Sequence, residues 1–144
     1  MAEILALIFT LSIEAGVPPY FVQAIAIAEH WNGSIENTVI NPAAVSQPNS
    51  NGSVDKGIMQ LNSRYFGHVD WKCPETNVRE GIRLIKKLSK EPLLNTWWAV
   101  AVAYNCGYTG FKNGPSSSSI EYGNRVMDVW FQLEDARHIS LIIK

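Results

Sequence analysis

The sequence has little charge, little cysteine and no long apolar run. Charged residues make up 17% of the 144 residues, and 12 Lys and Arg nearly balance 13 Asp and Glu, for a formal net charge of −1. A protein that binds nucleic acid through phosphate contacts is usually clearly basic, so we expect no nucleic-acid partner. No uncharged apolar run reaches the roughly 18 residues of a membrane span. Residues 1–12 lack the basic start of a signal peptide.

Cysteine and histidine are too few and too scattered for a metal site. Cys73 and Cys106 allow at most one disulfide, and their separation fits neither a zinc knuckle nor a CxxC redox motif. The sequence leaves open whether the two are bridged or free. His30, His68 and His138 stand singly, so we expect no metal and no cofactor.

Apolar residues are plentiful, at 47% of the chain, and aromatic residues reach 10%. A disordered chain would contain fewer apolar and more charged residues. The length suits one domain with a single hydrophobic core, which we expect to cover residues 1–144.

The apolar pattern predicts a mainly α fold. A first helix over 2–15 ends at Gly16, and a second begins at Pro18 and Pro19 and runs to about Trp31. The second helix has almost no polar face, which is typical of a buried central helix. Further helices are predicted over 58–66, 74–90, 97–105 and 120–134. Residues 32–55 form a long polar loop with room for a small β-hairpin.

Glu29 is the most informative polar residue, because it closes the buried second helix. Burial and the negative end of the helix dipole both disfavour a carboxylate and should raise its pKa. A carboxylic acid that is still protonated near neutral pH is the general acid that a glycosidic oxygen requires. The alternative is a carboxylate that faces water just beyond the buried part.

Two further clusters carry polar groups suited to a sugar. Gln60 and Asn62 offer amides after Gly57, which allows close backbone approach. Tyr104 and Asn105 end an apolar helix and could bond to a carboxylate or a sugar. The alternatives are an Asx turn at the first cluster, and a core tyrosine before a helix cap at Gly107 at the second.

Together these segments resemble the soluble lytic transglycosylases, a family that shares its fold with goose-type lysozyme. The resemblance runs from about residue 9 to 130. Its blocks, in order, are AIAIAE at 24–29, NPAAVS at 41–46, NGSVDKGIMQLNS at 51–63, NVREG at 77–81, AYNCG at 103–107 and YGNRV at 122–126.

The resemblance implies a lysozyme-like helical fold and cleavage of the β-1,4 bond between N-acetylmuramic acid and N-acetylglucosamine in peptidoglycan strands. Glu29 would be the single acid/base, and a 1,6-anhydro ring would form on the muramyl sugar. The substrate implies the periplasm or cell envelope. Implied substrate contacts are Ser46, Met59, Gln60, Asn62, Tyr104, Asn105 and Tyr122, with Tyr104 near Glu29.

Two departures from the family pattern matter. His30 stands where the family usually has Ser after the catalytic Glu. Its ring either replaces the hydrogen bond of that Ser or faces solvent, and we expect it to face solvent. The segment 31–40 looks like an insertion and contains a rival acid, Glu36, although the preceding helix favours Glu29.

Other activities remain open at this point. A hydrolase needs a second carboxylate or a close nucleophile. Asp55 is the nearby carboxylate, and we expect it to cap a short helix at Ile58 instead. This favours the transglycosylase over a muramidase. A sugar-binding module without catalysis is the third interpretation.

Overall fold

The protein is mainly helical, as predicted. The structure, a computed structural model, describes the backbone of residues 1–143 and the side chains of residues 1–137. The elements in chain order are α1 Ala2–Ala15, α2 Pro19–Glu29, β1 Asp55–Lys56, β2 Leu61–Asn62, α3 Ser63–Phe66, α4 Pro74–Ser89, α5 Trp97–Lys112 and α6 Ser117–Ile143. Among the described helices, none is both long and apolar enough to cross a bilayer.

Helix α2 is the centre of the core. Every residue from Phe21 to Ala28 is buried, and the helix packs against α1 on one side and α6 on another. Its one interior polar side chain is satisfied, because the amide of Gln23 donates to the carbonyl of Leu5 at 2.8 Å. Pro19 occupies the first turn, where a missing N–H has no cost. The all-round apolar pattern therefore correctly predicted a central helix.

A short hairpin is present, but it begins at the end of the predicted polar loop 32–55 and not within it. β1 and β2 pair antiparallel, with Asp55 opposite Asn62 and Lys56 opposite Leu61. The predicted helix over 58–66 is wrong for its first half, and only α3 is helical. The reason is a turn between two left-handed residues, Gly57 at φ 80° and Gln60 at φ 50°.

Helix bounds differ from the prediction at three further places. Helix α2 ends at Glu29, two residues early. Gly107, at φ 78° and ψ 161°, interrupts α5, but a further helical stretch continues to Lys112. Helix α6 begins at Ser117, where the hydroxyl of Ser116 accepts from the N–H of Ser119, and it extends well beyond the predicted end at 134.

Asn77 on α4 holds the hairpin turn in place. Its side-chain oxygen accepts from the N–H of Met59 at 2.8 Å, and its amide donates to the carbonyls of Lys56 and Trp71, each at 3.1 Å. Gly57 lies directly against this amide, and a Cβ there would come within 2.2 Å of Asn77 Nδ2 and 2.9 Å of the Trp71 carbonyl.

We predict that Gly57→Ala destabilises the fold by about 3 kcal/mol or more, since it adds overlap with Asn77 to the strain of a left-handed alanine. Gly52→Ala is the matched control, because Gly52 has nearly the same φ, 81°, but nothing within 4 Å of the added carbon. The control should lose only about 1 kcal/mol. Urea unfolding of both variants measures the difference, and equal losses would contradict the role given to Asn77.

Candidate active site

Glu29 meets Tyr122 at the point where α2 and α6 come together. Glu29 is the last residue of α2, and its side chain is partly buried. The buried hydroxyl of Tyr122 donates to Glu29 Oε1 at 2.9 Å. The carboxyl therefore does not stand free in water, which was the alternative for this residue.

The environment of Glu29 favours the protonated acid. The pKa of Glu29 is raised from 4.5 to about 8, mainly because burial disfavours the charged form. The Tyr122 hydrogen bond lowers this pKa, and the negative charge of Asp55 raises it further. At neutral pH the side chain thus holds a proton that it can donate.

Tyr104 is bound to the hairpin turn and not to the carboxyl. Its hydroxyl donates to the carbonyl of Met59 at 2.5 Å. Burial raises the pKa of Tyr104 well above its usual value, and the charges of Glu29 and Asp55 add to the rise. Tyr104 is therefore in the electrostatic environment of Glu29, while the direct hydrogen bond to the acid comes from Tyr122.

Met59 and Gln60 form the turn that faces Tyr104. The side chain of Met59 is fully buried, and it packs so closely on Gly81 of α4 that a Cβ there would lie 2.6 Å from it. Met59 thus offers its carbonyl to the site and its side chain to the core. The amide of Gln60 donates to the carbonyl of Gly57 at 2.9 Å, which leaves its own side-chain oxygen without a partner among the described residues.

Ser46, Asn62 and Asp55 belong to one hydrogen-bond network. The Asn62 amide donates to Asp55 Oδ1 at 2.9 Å, and the Asn62 oxygen caps α3 by accepting from the N–H of Arg64. The hydroxyl of Ser46 accepts from the N–H of Asp55 at 2.9 Å. The predicted cap of Asp55 on a helix at Ile58 is wrong, because no helix begins there and the carboxylate instead binds Asn62 and Asn49.

Asn105 lies on the surface at the end of the first part of α5. Its side-chain oxygen accepts from the hydroxyl of Ser119 at 2.8 Å, which links α5 to the start of α6. The amide N–H₂ of Asn105 has no partner among the described residues, so it is available to a ligand.

His30 does not face solvent, and that prediction is wrong. The ring is partly buried, its Nε2 lies 3.0 Å from the carbonyl of Ile58, and the N–H of Asn41 approaches Nδ1 at 3.5 Å. Burial lowers the pKa of His30. A neutral ring that donates from Nε2 and accepts at Nδ1 satisfies both contacts. His30 thus joins the end of α2 to the polar loop at Asn41 and to the hairpin turn at Ile58.

The remaining candidates are placed more simply. Glu36, the rival acid, is exposed. Cys73 and Cys106 are both free thiols, which answers the question that the sequence left open. No group of three or more acidic, histidine or cysteine side chains among the described residues could hold a metal ion. His68 is exposed, and the side chain of His138 lies outside the described residues.

Sequence reasoning missed the part that Asn77 plays. The residue was noticed as the first letter of a matched block, but its buried side chain and three hydrogen bonds could not be read from the pattern. An Asn in the first turn of an otherwise amphipathic helix was the only local signal.

Fold and site together define a lysozyme-like helical domain with one protonated acid at the end of its central helix. The family described as "Transglycosylase SLT domain" matches residues 7–121, and the chain belongs to this family. At the level of the family, the function is of the lytic transglycosylase type and acts on cell-wall peptidoglycan, which implies the cell envelope. No curated protein and no solved structure matches the chain in the comparisons.

We predict that the stability of Glu29→Gln relative to wild type increases with pH above about 4.5. The raised pKa means that wild type loses stability as pH increases from about 4.5 to about 8, by about 1.4 kcal/mol for each pH unit, while glutamine has no proton to lose. Denaturant unfolding at several pH values measures the divergence. The exposed Glu36→Gln serves as control and should show none, and parallel curves for Glu29→Gln would contradict the raised pKa.

We predict that Tyr122→Phe raises the pKa of Glu29 further, because the lost hydroxyl stabilises the carboxylate. Titration of the side-chain carbon by NMR measures the pKa. Tyr104→Phe removes the same group from a tyrosine that binds the Met59 carbonyl, so it should change this pKa less. A lower pKa in Tyr122→Phe would show that the hydrogen bond acts in the opposite sense.

Proposed function

We propose that the protein is a lytic transglycosylase of the periplasm or cell envelope, which cleaves the β-1,4 bond between N-acetylmuramic acid and N-acetylglucosamine with Glu29 as its single acid/base. The observation that carries the proposal is the partly buried carboxyl with a pKa of about 8. An acid with this pKa is matched to proton transfer near neutral pH.

The first step is proton donation by Glu29 to the glycosidic oxygen. The bond between that oxygen and C1 of the muramyl sugar then breaks, and the N-acetylglucosamine part leaves with the proton. The products of this step are an oxocarbenium-like sugar and a carboxylate. Burial destabilises the carboxylate, so it readily takes a proton back.

The second step returns the proton to Glu29. The carboxylate removes the proton of the muramyl C6 hydroxyl, and the C6 oxygen forms a bond to C1. This closes the 1,6-anhydro ring and restores the protonated acid, so each cycle balances without water. The Tyr122 hydroxyl, 2.9 Å from Glu29 Oε1, is placed to orient the carboxyl group in both steps.

The surroundings of Asp55 favour ring closure over hydrolysis. A hydrolase would use a second carboxylate to activate water or to attack C1. Both oxygens of Asp55 accept hydrogen bonds, one from Asn62 and the other from Asn49, and its N–H is bound to Ser46. Asp55 thus serves the hairpin, and the substrate's own hydroxyl is the nucleophile.

The other predicted contacts divide into three groups in this proposal. Asn105 and Gln60 each keep an unused amide atom among the described residues, and we assign them direct bonds to the sugar. Tyr104 and Met59 shape the turn that the sugar meets. Ser46 and Asn62 act indirectly, since their polar atoms hold the hairpin.

We predict that Glu29→Gln reduces lysis of purified peptidoglycan by at least about 100-fold, because general acid catalysis is lost. Binding of the strands should persist, since glutamine keeps the shape of the side chain. Glu36→Gln is the matched control and should lyse at the wild-type rate. Mass spectrometry of the wild-type digest should show muropeptides lighter by one water than hydrolysis products.

Each other result points to a different activity. Reducing muramyl ends alone would identify a muramidase. Wild-type protein that binds strands without lysing them would identify a binding module. Full activity in Glu29→Gln with loss in Glu36→Gln would move the acid to the inserted segment.

A further inference from the structure

A cavity of about 280 Å³ lies between the segment 31–40 and α6. Trp31 and Ile35 form the wall on the side of the segment, and Arg125, Asp128 and Gln132 project from α6 on the other side. Ligand sites for drug-sized molecules usually have volumes of about 300–1,000 Å³. This cavity is therefore large enough for one or two amino-acid residues or one sugar ring, but not for an oligosaccharide.

Arg125 brings an unused set of donors to the cavity. Its guanidinium lies over the ring of Trp31, with the central carbon 5.5 Å from the ring centre, and the side chain is partly buried. No carboxylate of the described residues lies within salt-bridge distance of Arg125, and none of its five N–H groups has a hydrogen-bond partner among them. A guanidinium with free N–H groups beside an aromatic ring is suited to two-point binding of a carboxylate.

Each wall of the cavity contains a residue that is close along the chain to Glu29 or to its partner Tyr122. Trp31 follows Glu29 by two residues, and Tyr122, which binds the Glu29 carboxyl, precedes Arg125 by one helical turn. With a rise of about 1.5 Å per residue, Asp128 and Gln132 lie roughly 9 and 15 Å from Tyr122 along the axis of α6. The cavity extends over this part of the helix. A group attached to a sugar at Glu29 could therefore extend into it.

The charges of the cavity match a ligand that carries both signs. Asp128 is exposed and lies one turn beyond Arg125, but the two do not form a salt bridge. A simple anion would bind Arg125 and be repelled by Asp128. A short peptide with a carboxylate and an ammonium group satisfies both side chains, and its aliphatic parts can contact Ile35 and Trp31.

We propose that this cavity binds the peptide attached to the muramyl sugar, with a peptide carboxylate on Arg125 and a peptide ammonium group at Asp128. This rests on the proposed function, since the glycan strand must lie at Glu29. The wall with Trp31 and Ile35 comes from the segment 31–40, which the resemblance marks as an insertion, so the site belongs to a part of the chain outside the matched sequence blocks.

The test compares two ligands in the Glu29→Gln background, where neither is cleaved. One is a disaccharide-peptide from peptidoglycan, and the other is an N-acetylglucosamine oligomer, which carries no peptide and no carboxylate. Calorimetry should show that Arg125→Gln weakens binding of the first ligand at least about tenfold more than binding of the second. Arg125→Lys keeps the positive charge but lacks the planar pair of N–H groups, and its loss of affinity should be intermediate.

Arg64→Gln is the matched control, because Arg64 also lies over an aromatic ring, that of Tyr65 at 5.9 Å, but outside the cavity. It should change neither affinity. A third ligand is the disaccharide-peptide with its carboxylates amidated. Its affinity should be the same for the Glu29→Gln protein, called the parent, and for the parent that also carries Arg125→Gln.

Three results would overturn the peptide site. These are an equal loss for both ligands, no loss for either, or an undiminished effect of Arg125→Gln on the amidated peptide. All three leave the proposed function intact as long as the parent binds the oligomer and the wild type lyses peptidoglycan. A parent that binds neither ligand, together with a wild type that does not lyse, would remove the proposed function as well.

Discussion

The site depends on a carboxyl group held partly out of water at the end of an apolar helix. Since α2 is buried on every face, its last residue must lie where the neighbouring elements meet, and there Glu29 has one hydrogen bond from Tyr122. One donor offsets only part of the cost of removing a carboxylate from water. The fold therefore favours the neutral form of Glu29, and the packing that buries α2 also raises the pKa of this side chain.

The hairpin of β1 and β2 is held in place by side-chain contacts more than by the hydrogen bonds between its two strands. Two residue pairs cannot hold a hairpin alone. The side chain of Asn77 binds two backbone groups of the hairpin, the N–H of Met59 and the carbonyl of Lys56, and it also binds the carbonyl of Trp71 just before α4. The Met59 side chain is buried against Gly81. Helix α4 thus positions the hairpin turn, although the two are distant in sequence. The Met59 carbonyl of this turn then accepts the hydrogen bond from the Tyr104 hydroxyl.

The helices and the position of Glu29 were predictable because apolar periodicity and capping residues are local signals. The turn after Gly57 was not, since a left-handed Gln60 is rare and only its tertiary contacts make it favourable. Periodicity also does not tell which tyrosine reaches the acid: the resemblance put Tyr104 near Glu29 and gave Tyr122 only as a substrate contact, whereas Tyr122 makes the hydrogen bond. His30 was misjudged because its partners, Ile58 and Asn41, lie far along the chain or across a loop.

The two unbridged thiols have a consequence for how the protein acquires its structure. Cys73 precedes α4 and Cys106 lies within α5, so a bridge would have joined the helix that anchors the turn to the helix that carries Tyr104. Noncovalent packing performs that task instead. The mutual position of α4 and α5, and with it the contact of Tyr104 with the Met59 carbonyl, thus needs no covalent link between the two helices.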